Sequence, residues 1–225
     1  TEGVVIKAIH YSNNSESYMK EHLNFRGHVN YSSMIKQLCE FVPRSEFIIQ
    51  LLQAILTWHD GQQIMIIGHN RSLLMYLFDR IKEIGFATAG YYLGGMKEAD
   101  LKLSESKKII VATYAMAAEG LDIKTLTTLV MVTPKTDVCQ AVGRILRRQA
   151  AQHLVIDIVD AHPIFKRQWS KRLSFYKKQR YKIYEGTHES YKKNEWELLE
   201  ARKKRSKKNN MKSGLHIGKC LILDD

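Results

Sequence analysis

The sequence has no long apolar run. Its longest are strand-sized, such as residues 64–67, so no stretch of about 20 apolar residues is available to cross a bilayer as a helix. No secretory leader is legible, and the chain opens on Thr1 rather than Met, which reads as a fragment or a processed product. Cysteine is scarce. Cys39, Cys139 and Cys220 are odd in number and far apart, which excludes a disulfide framework and a cysteine zinc site and fits a reducing, intracellular setting. Nine histidines are scattered without an HExxH pair, and His22 and His28 read as surface residues, so no metal centre is expected. A phosphate-cradling GxxxxGK loop ending in Ser or Thr is missing. The nearest stretch, GLHIGKC at 214–220, is one residue short and ends in Cys. No DExx motif follows a strand, and no internal repeat is present.

What is present is an ordinary apolar share, 44% of 225 residues, enough for one large or two small domains. The formal net charge is +12, and it is uneven. Residues 164–212 hold 17 Lys and Arg against 5 Asp and Glu, while the remainder holds 18 of each. A neutral body thus carries a basic tail, and basic faces attract polyanions such as nucleic acid or acidic lipid. The charges of that tail are expected to meet nucleic-acid phosphates. Its aromatics Trp169, Phe175, Tyr176, Tyr181 and Tyr184 recur at helical spacing and are expected to pack on the body.

Short apolar runs alternate with helical patterns. Strands are expected at 63–68, 86–93, 107–114, 125–134 and 153–160, with a lead-in strand in VVIKAI at 4–9. Helices are expected near 34–41 and 47–58, over 70–85 with Gly85 as a stop, in a short piece near 94–105, and over 136–148 with Thr136 or Asp137 as cap. This alternation implies crossover units and a parallel sheet covered on both faces. The tract FKRQWSKRLSFYKKQRYKIYE at 165–185 reads as one long docked helix, and RKKRSKKNNMK at 202–212 as a disordered tail. Asp157 and Asp160 of IDIVD point to opposite strand faces and read as strand-end and cap groups rather than a catalytic pair.

One segment asks for more than packing. QAVGRILRR at 140–148 sets Gln140, Arg144 and Arg147 along one helix stripe, with Gly143 among them. A helix-interior glycine costs about 1 kcal/mol relative to alanine, and it lets another surface come close. Two guanidinium forks there suit one phosphate. Parallel sheets bind ligands at the carboxyl ends of their strands. The third strand ends at Thr113, residues 119–122 (EGLD) form a turn, and the arginine helix leaves the fourth strand. Thr113, Asp122, Arg144 and Arg147 are therefore expected to converge on one edge, with the carboxylate toward a ribose and the arginines toward a terminal phosphate. Either motif alone needs no more than a turn or a solvated helix face. Both together, in this order and at this strand spacing, carry the functional reading. Asn70, Arg71, Gly94, Gly95 and Lys97 lie on loops expected to face nucleic acid.

These segments resemble a known family. IVATYAMAAEGLDI resembles motif V and QAVGRILR motif VI of superfamily 2 helicases and translocases, IMIIGHNRSLLMYLFDRI sits where motif IV belongs, and YYLGGMK resembles the loop that follows it. The resemblance implies an α/β fold, a RecA-like parallel sheet flanked by helices, with residues 1–162 as the second RecA-like domain and 163–225 as a basic helical extension. The EGLD and QxxGRxxR forms look more like those of DNA-translocating members than like the DEAD-box forms. The tract 159–183 resembles the tail of transcript-release and recombination helicases of poxviruses, asfarviruses and phages. The resemblance further implies ATP and Mg2+ as cofactors, held mainly by an upstream RecA-like domain of the same polypeptide, with this chain inactive alone. Arg147 would be the arginine finger, Arg144 would contact the same phosphate, and Gln140 would position it or the water. Asp122 beside Gly120 would meet the ribose or couple nucleotide to motion, and Thr113 would bond a backbone phosphate. Nucleic acid, with DNA favoured over RNA, is the expected partner. The alternatives are a non-catalytic nucleic-acid-binding module with a degenerate helicase fold and a protein-interaction scaffold with a basic targeting tail.

Overall fold

The computed structural model describes residues 3–120, 123–138, 142–143 and 153–199. Eight strands, β1 (Val4–Tyr11), β2 (Ile64–Gly68), β3 (Ala89–Tyr92), β4 (Ile109–Thr113), β5 (Thr128–Met131), β6 (His153–Asp160), β7 (Lys182–Thr187) and β8 (Glu197–Leu198), form one sheet in the order β3-β4-β2-β5-β6-β1-β7-β8. Every neighbouring pair is parallel except β7 with β8. Around it lie α1 (Glu16–Met19), α2 (Tyr31–Glu40), α3 (Val42–Trp58), α4 (Arg71–Ile84), α5 (Glu98–Ser104), α6 (Tyr114–Gly120) and α7 (Pro163–Lys178).

A parallel sheet hidden on both faces needs strands that are apolar throughout. Every residue of β2 and of β6 is buried. One face packs Leu38 of α2, Ile48 and Leu52 of α3, and Leu77 of α4 on Ile66, Val130 and Ile156. The other packs Tyr114 and Ala117 of α6, and Trp169 and Tyr176 of α7, on Met65, Ile67, Leu129 and Val155. Helix ends follow local chemistry. The Asn70 side chain accepts from Ser72 N at 2.8 Å and opens α4, and Gly85, with φ +76°, closes it.

Charge staples both faces of β6. On one side Asp160 takes two hydrogen bonds from Arg44 of α3, each 2.9 Å, with the Tyr18 hydroxyl at 2.9 Å. On the other, Asp157 takes two from Arg172 of α7, at 2.8 and 2.9 Å, and one from the Tyr176 hydroxyl. All four ionic groups are buried. The opposite-face placement expected for Asp157 and Asp160 is observed, and Asp160 does end β6, but the reading as strand-end and cap groups falls short. They are the anionic halves of buried ion pairs, because each strand face meets a helix that brings an arginine.

Two further expectations change. Glu119 and Gly120 do not form a turn; they close α6, an element the sequence reading passed over. The long docked helix ends at Lys178, and residues expected to continue it form β7, which pairs in parallel with β1. Arg180 takes φ +60° at the break. The cause is β1 itself. Its outer edge would otherwise stand unpaired, and KIYEGT buries Ile183 and Glu185, two residues apart, as a strand does. Beyond residue 162 the chain therefore forms α7 and then returns to the same sheet as β7.

Candidate nucleotide and nucleic-acid site

Strand β2 leads through α4 to β3 on one side, and β5, on its other side, leads on toward β6. Ligand crevices in such sheets open where the connections diverge, beyond the carboxyl ends of the strands. The residues expected to face nucleic acid follow β3, β4 and β2, three adjacent strands. Arg71 lies at the start of α4 beyond β2, exposed, and donates to the Gly94 carbonyl beyond β3 at 3.2 Å. Gly95 takes φ +86°, a backbone state costly for a side chain, and turns the loop toward exposed Lys97 and α5. Thr113 ends β4 between them, and its hydroxyl meets Met116 N at 3.4 Å in the first turn of α6. Asn70, Arg71, Gly94, Gly95, Lys97 and Thr113 thus line one continuous strip.

Beside that strip, the loop after β5 leads toward the arginine segment. It is held at four successive residues. The Tyr114 hydroxyl of α6 donates to Thr133 O at 2.7 Å, and the Tyr31 hydroxyl of α2 to Pro134 O at 3.0 Å. Arg172 of α7 donates to Lys135 O at 2.7 Å, and Gln168 of α7 to Thr136 Oγ1 at 3.1 Å. Gln168 also donates to the Tyr31 hydroxyl at 3.1 Å, which ties two of these anchors together. Three helices far apart in sequence converge on one loop. A free loop of this length would sample many conformations, at an ordering cost of about 1–2 kcal/mol per residue.

The segment this loop launches is described in part. Val142 donates to Val138 O at 2.8 Å and is buried, as a helical turn starting here requires. A Cβ added at Gly143 would meet no described atom within 4 Å. Among the described residues, packing therefore gives no reason for a glycine there. Gln140, Arg144, Arg147 and Asp122 lie outside the described residues, and Gly120 ends α6.

His69, first beyond β2, joins the two halves of the crevice. Its backbone N–H reaches Thr133 Oγ1 at 2.9 Å, its Nδ1 lies 2.9 Å from the same oxygen, and its ring sits 4.6 Å from that of Tyr114. The residue keeps an exposed edge, but partial desolvation of the ring, helped by the nearby Lys135 cation, lowers its pKa to about 4, so the ring is neutral at pH 7. Lys135 itself lies 4.8 Å from the centre of the Tyr114 ring. Among the described residues no group of three His, Cys, Asp or Glu could hold a metal ion.

Comparisons with known proteins agree with this architecture. No family model matches the chain. A protein of Acanthamoeba polyphaga mimivirus named for ATP-dependent RNA helicase activity is 36% identical over 189 residues, 81% of this chain and 36% of its own length. The transcript termination protein A18 of rabbit fibroma virus is 29% identical over 147 residues, covering 61% of this chain and 30% of its own. Bacteriophage T4 UvsW superimposes with a TM-score of 0.63 at 20% identity, over 82% of this chain and 41% of that one. The C-terminal domain of the DEAD-box protein Dbp5 does so at 0.52 and 14%, over 65% of this chain and 84% of that one. The chain belongs to the family of that mimivirus protein, named as an ATP-dependent RNA helicase, and shares the fold of UvsW. It spans about a third of the length of these curated viral relatives.

Sequence reading missed the anchors of this helicase domain: Tyr31, Tyr114, Gln168, Arg172 and His69. One signal was present. Arg172 falls on the buried stripe of α7 that also carries Phe165, Trp169 and Tyr176, and Asp157 stands inside an otherwise apolar strand. A cation on one apolar face and an anion on another mark a buried pair. The tyrosines and Gln168 gave no comparable sign, because packing residues of the same kinds are common.

Proposed function

We propose that this chain is the second motor domain of an ATP-dependent nucleic-acid helicase or translocase, and that nucleotide is bound between it and an upstream RecA-like domain of the same polypeptide. The observation that carries this reading is the anchored loop after β5. Four hydrogen bonds fix the base of the segment that bears Gln140, Arg144 and Arg147, and preorganised charge is worth most when it need not move at the moment of reaction. A Cβ added at Gly143 would meet no described atom within 4 Å, which is compatible with close approach of a surface from elsewhere. The names of the mimivirus and fibroma virus relatives support helicase activity and a part in transcript termination for the whole polypeptide.

ATP with Mg2+, held mainly by the upstream half, supplies the phosphoryl-transfer energy. In this domain Arg147 stabilises the charge that develops on the transferred group, Arg144 holds the same phosphate, and Gln140 positions that phosphate or the attacking water. Asp122, beside Gly120, meets the ribose or couples nucleotide to motion. Arginine fingers are worth about 10³–10⁵ in rate. The strip of Asn70, Arg71, Gly94, Gly95, Lys97 and Thr113 grips the sugar-phosphate backbone, and opening and closing of the interdomain cleft moves it along the strand.

The motif forms favour DNA as the track, whereas the mimivirus relative is named as an RNA helicase. The test joins this chain to its natural upstream half and measures ATP turnover alone, with DNA and with RNA, for wild type and Arg147→Ala. The reading expects stimulation by DNA above RNA, and loss of turnover in the variant with nucleic-acid binding retained. Equal turnover in both proteins would sink it and would favour the non-catalytic binding module.

A further inference from the structure

Exposed cations on α7 border a groove that the site above does not use. Tyr31, Lys135, Thr136, Asp137, Ile164, Arg167, Gln168 and Lys171 line an open cavity of about 660 Å³ between α2, the anchored loop and α7. Its lining holds three cations, Lys135, Arg167 and Lys171, against one carboxylate, Asp137. Arg167 and Lys171 are exposed, and neither makes an ion pair with a described residue. They are four apart on one helix, so their side chains sit one above the other. Ile164 and the Tyr31 ring add apolar surface. The groove's inner wall is the pair that anchors the loop, Tyr31 and Gln168.

We infer that this groove is a second contact for the nucleic-acid backbone, in which Arg167 and Lys171 meet phosphates of one strand beside the base of the arginine segment. The inference rests on the function proposed above and adds to it a route for sensing the track. The same turn of α7 that touches the strand through Arg167 and Lys171 touches the loop through Gln168. Charge complementarity selects the occupant. Cations without acidic partners on an open surface, with apolar patches between them, suit a sugar-phosphate chain and not an acidic side chain buried in a closed interface. The outward face of α7 continues basic with Lys166, Lys177 and Lys178, all exposed.

The experiment uses the full polypeptide and a labelled single-stranded oligonucleotide, titrated at several salt concentrations. One variant reverses the groove charges, Arg167→Glu with Lys171→Glu. Its control makes the same charge change on the same helix outside the groove, Lys177→Glu with Lys178→Glu. All four residues are exposed, and equal melting temperatures establish that both variants fold. The inference expects the groove variant to bind about tenfold or more weakly and to lose about 2 from the slope of log affinity against log salt, with a much smaller loss in the control. Equal losses would mean a diffuse basic field and would overturn it. Unchanged binding with slowed ATP turnover would assign the groove to the upstream domain and would also overturn it. A wild-type polypeptide that neither binds nor is stimulated by nucleic acid would instead bring down the proposed function, and the inference with it.

Discussion

Asp160 and Arg44 are the residues on which the fold is least forgiving. Both are fully buried and meet through two hydrogen bonds. Asp160→Asn leaves the guanidinium without its countercharge, so we expect about 3–5 kcal/mol of destabilisation in urea unfolding. Replacing both members with apolar residues, Asp160→Leu with Arg44→Met, should recover much of that loss. His69 gives a pH signature. Its folded pKa of about 4 lies below the ordinary 6.5, so its contribution is complete above about pH 6.5 and disappears as pH falls toward 4. Melting temperatures between pH 7.5 and 4.5 should therefore fall less steeply in His69→Gln than in wild type. At Gly143 stability and function should part. Gly143→Ala meets no described neighbour and gains up to about 1 kcal/mol of helix propensity, so the isolated chain should not lose stability. In the joined polypeptide, ATP turnover should drop if the upstream half packs against that face.

Among the elements, the continuous apolar strands β2, β4, β5 and β6 and the periodic α4 were legible because periodicity and burial agree there. So was the packing role of the tail aromatics, since Trp169 and Tyr176 are buried, with Phe175, Tyr181 and Tyr184 partly so. Helix α6 was missed because YAMAAEG is a single short run whose glycine suggests a turn. Strand β7 was missed for a different reason. Lysines and tyrosines continue the tail's local pattern across 178–182, and only the unpaired edge of β1, some 175 residues earlier, dictates a strand. The strip along β3, β4 and β2 could be foreseen from strand order, whereas the anchors of the loop after β5 depend on contacts between distant segments. Their worth is measurable. Tyr31→Phe keeps the ring but removes the hydroxyl shared by Pro134 O and Gln168. We expect a loss of about 0.5–1.5 kcal/mol in thermal unfolding. Ending the chain at residue 162 removes Arg172 from buried Asp157 and uncovers a sheet face. The expected product is insoluble, checked by expression and sedimentation.

For the whole molecule, the division of charge is the main guide. A neutral body bearing 12 surplus positive charges in residues 164–212 should bind nucleic acid with a steep salt dependence, even without its upstream half, and should hydrolyse ATP negligibly alone. Filter binding across a salt series, with a phosphate-release assay, checks both. Binding insensitive to salt would favour the interaction-scaffold reading.

The position of β1 has a consequence for how the protein is made. Within this domain the first strand to be made, β1, is held between β6 and β7, which follow it by some 140 residues or more. At about 5–20 residues per second, Val4–Tyr11 waits roughly ten to thirty seconds before its partners exist. During that interval an apolar strand has both edges unpaired. Nascent chains arrested before residue 180 should therefore be sensitive to protease and prone to bind chaperones, and the domain should close in an abrupt step once β7 has emerged.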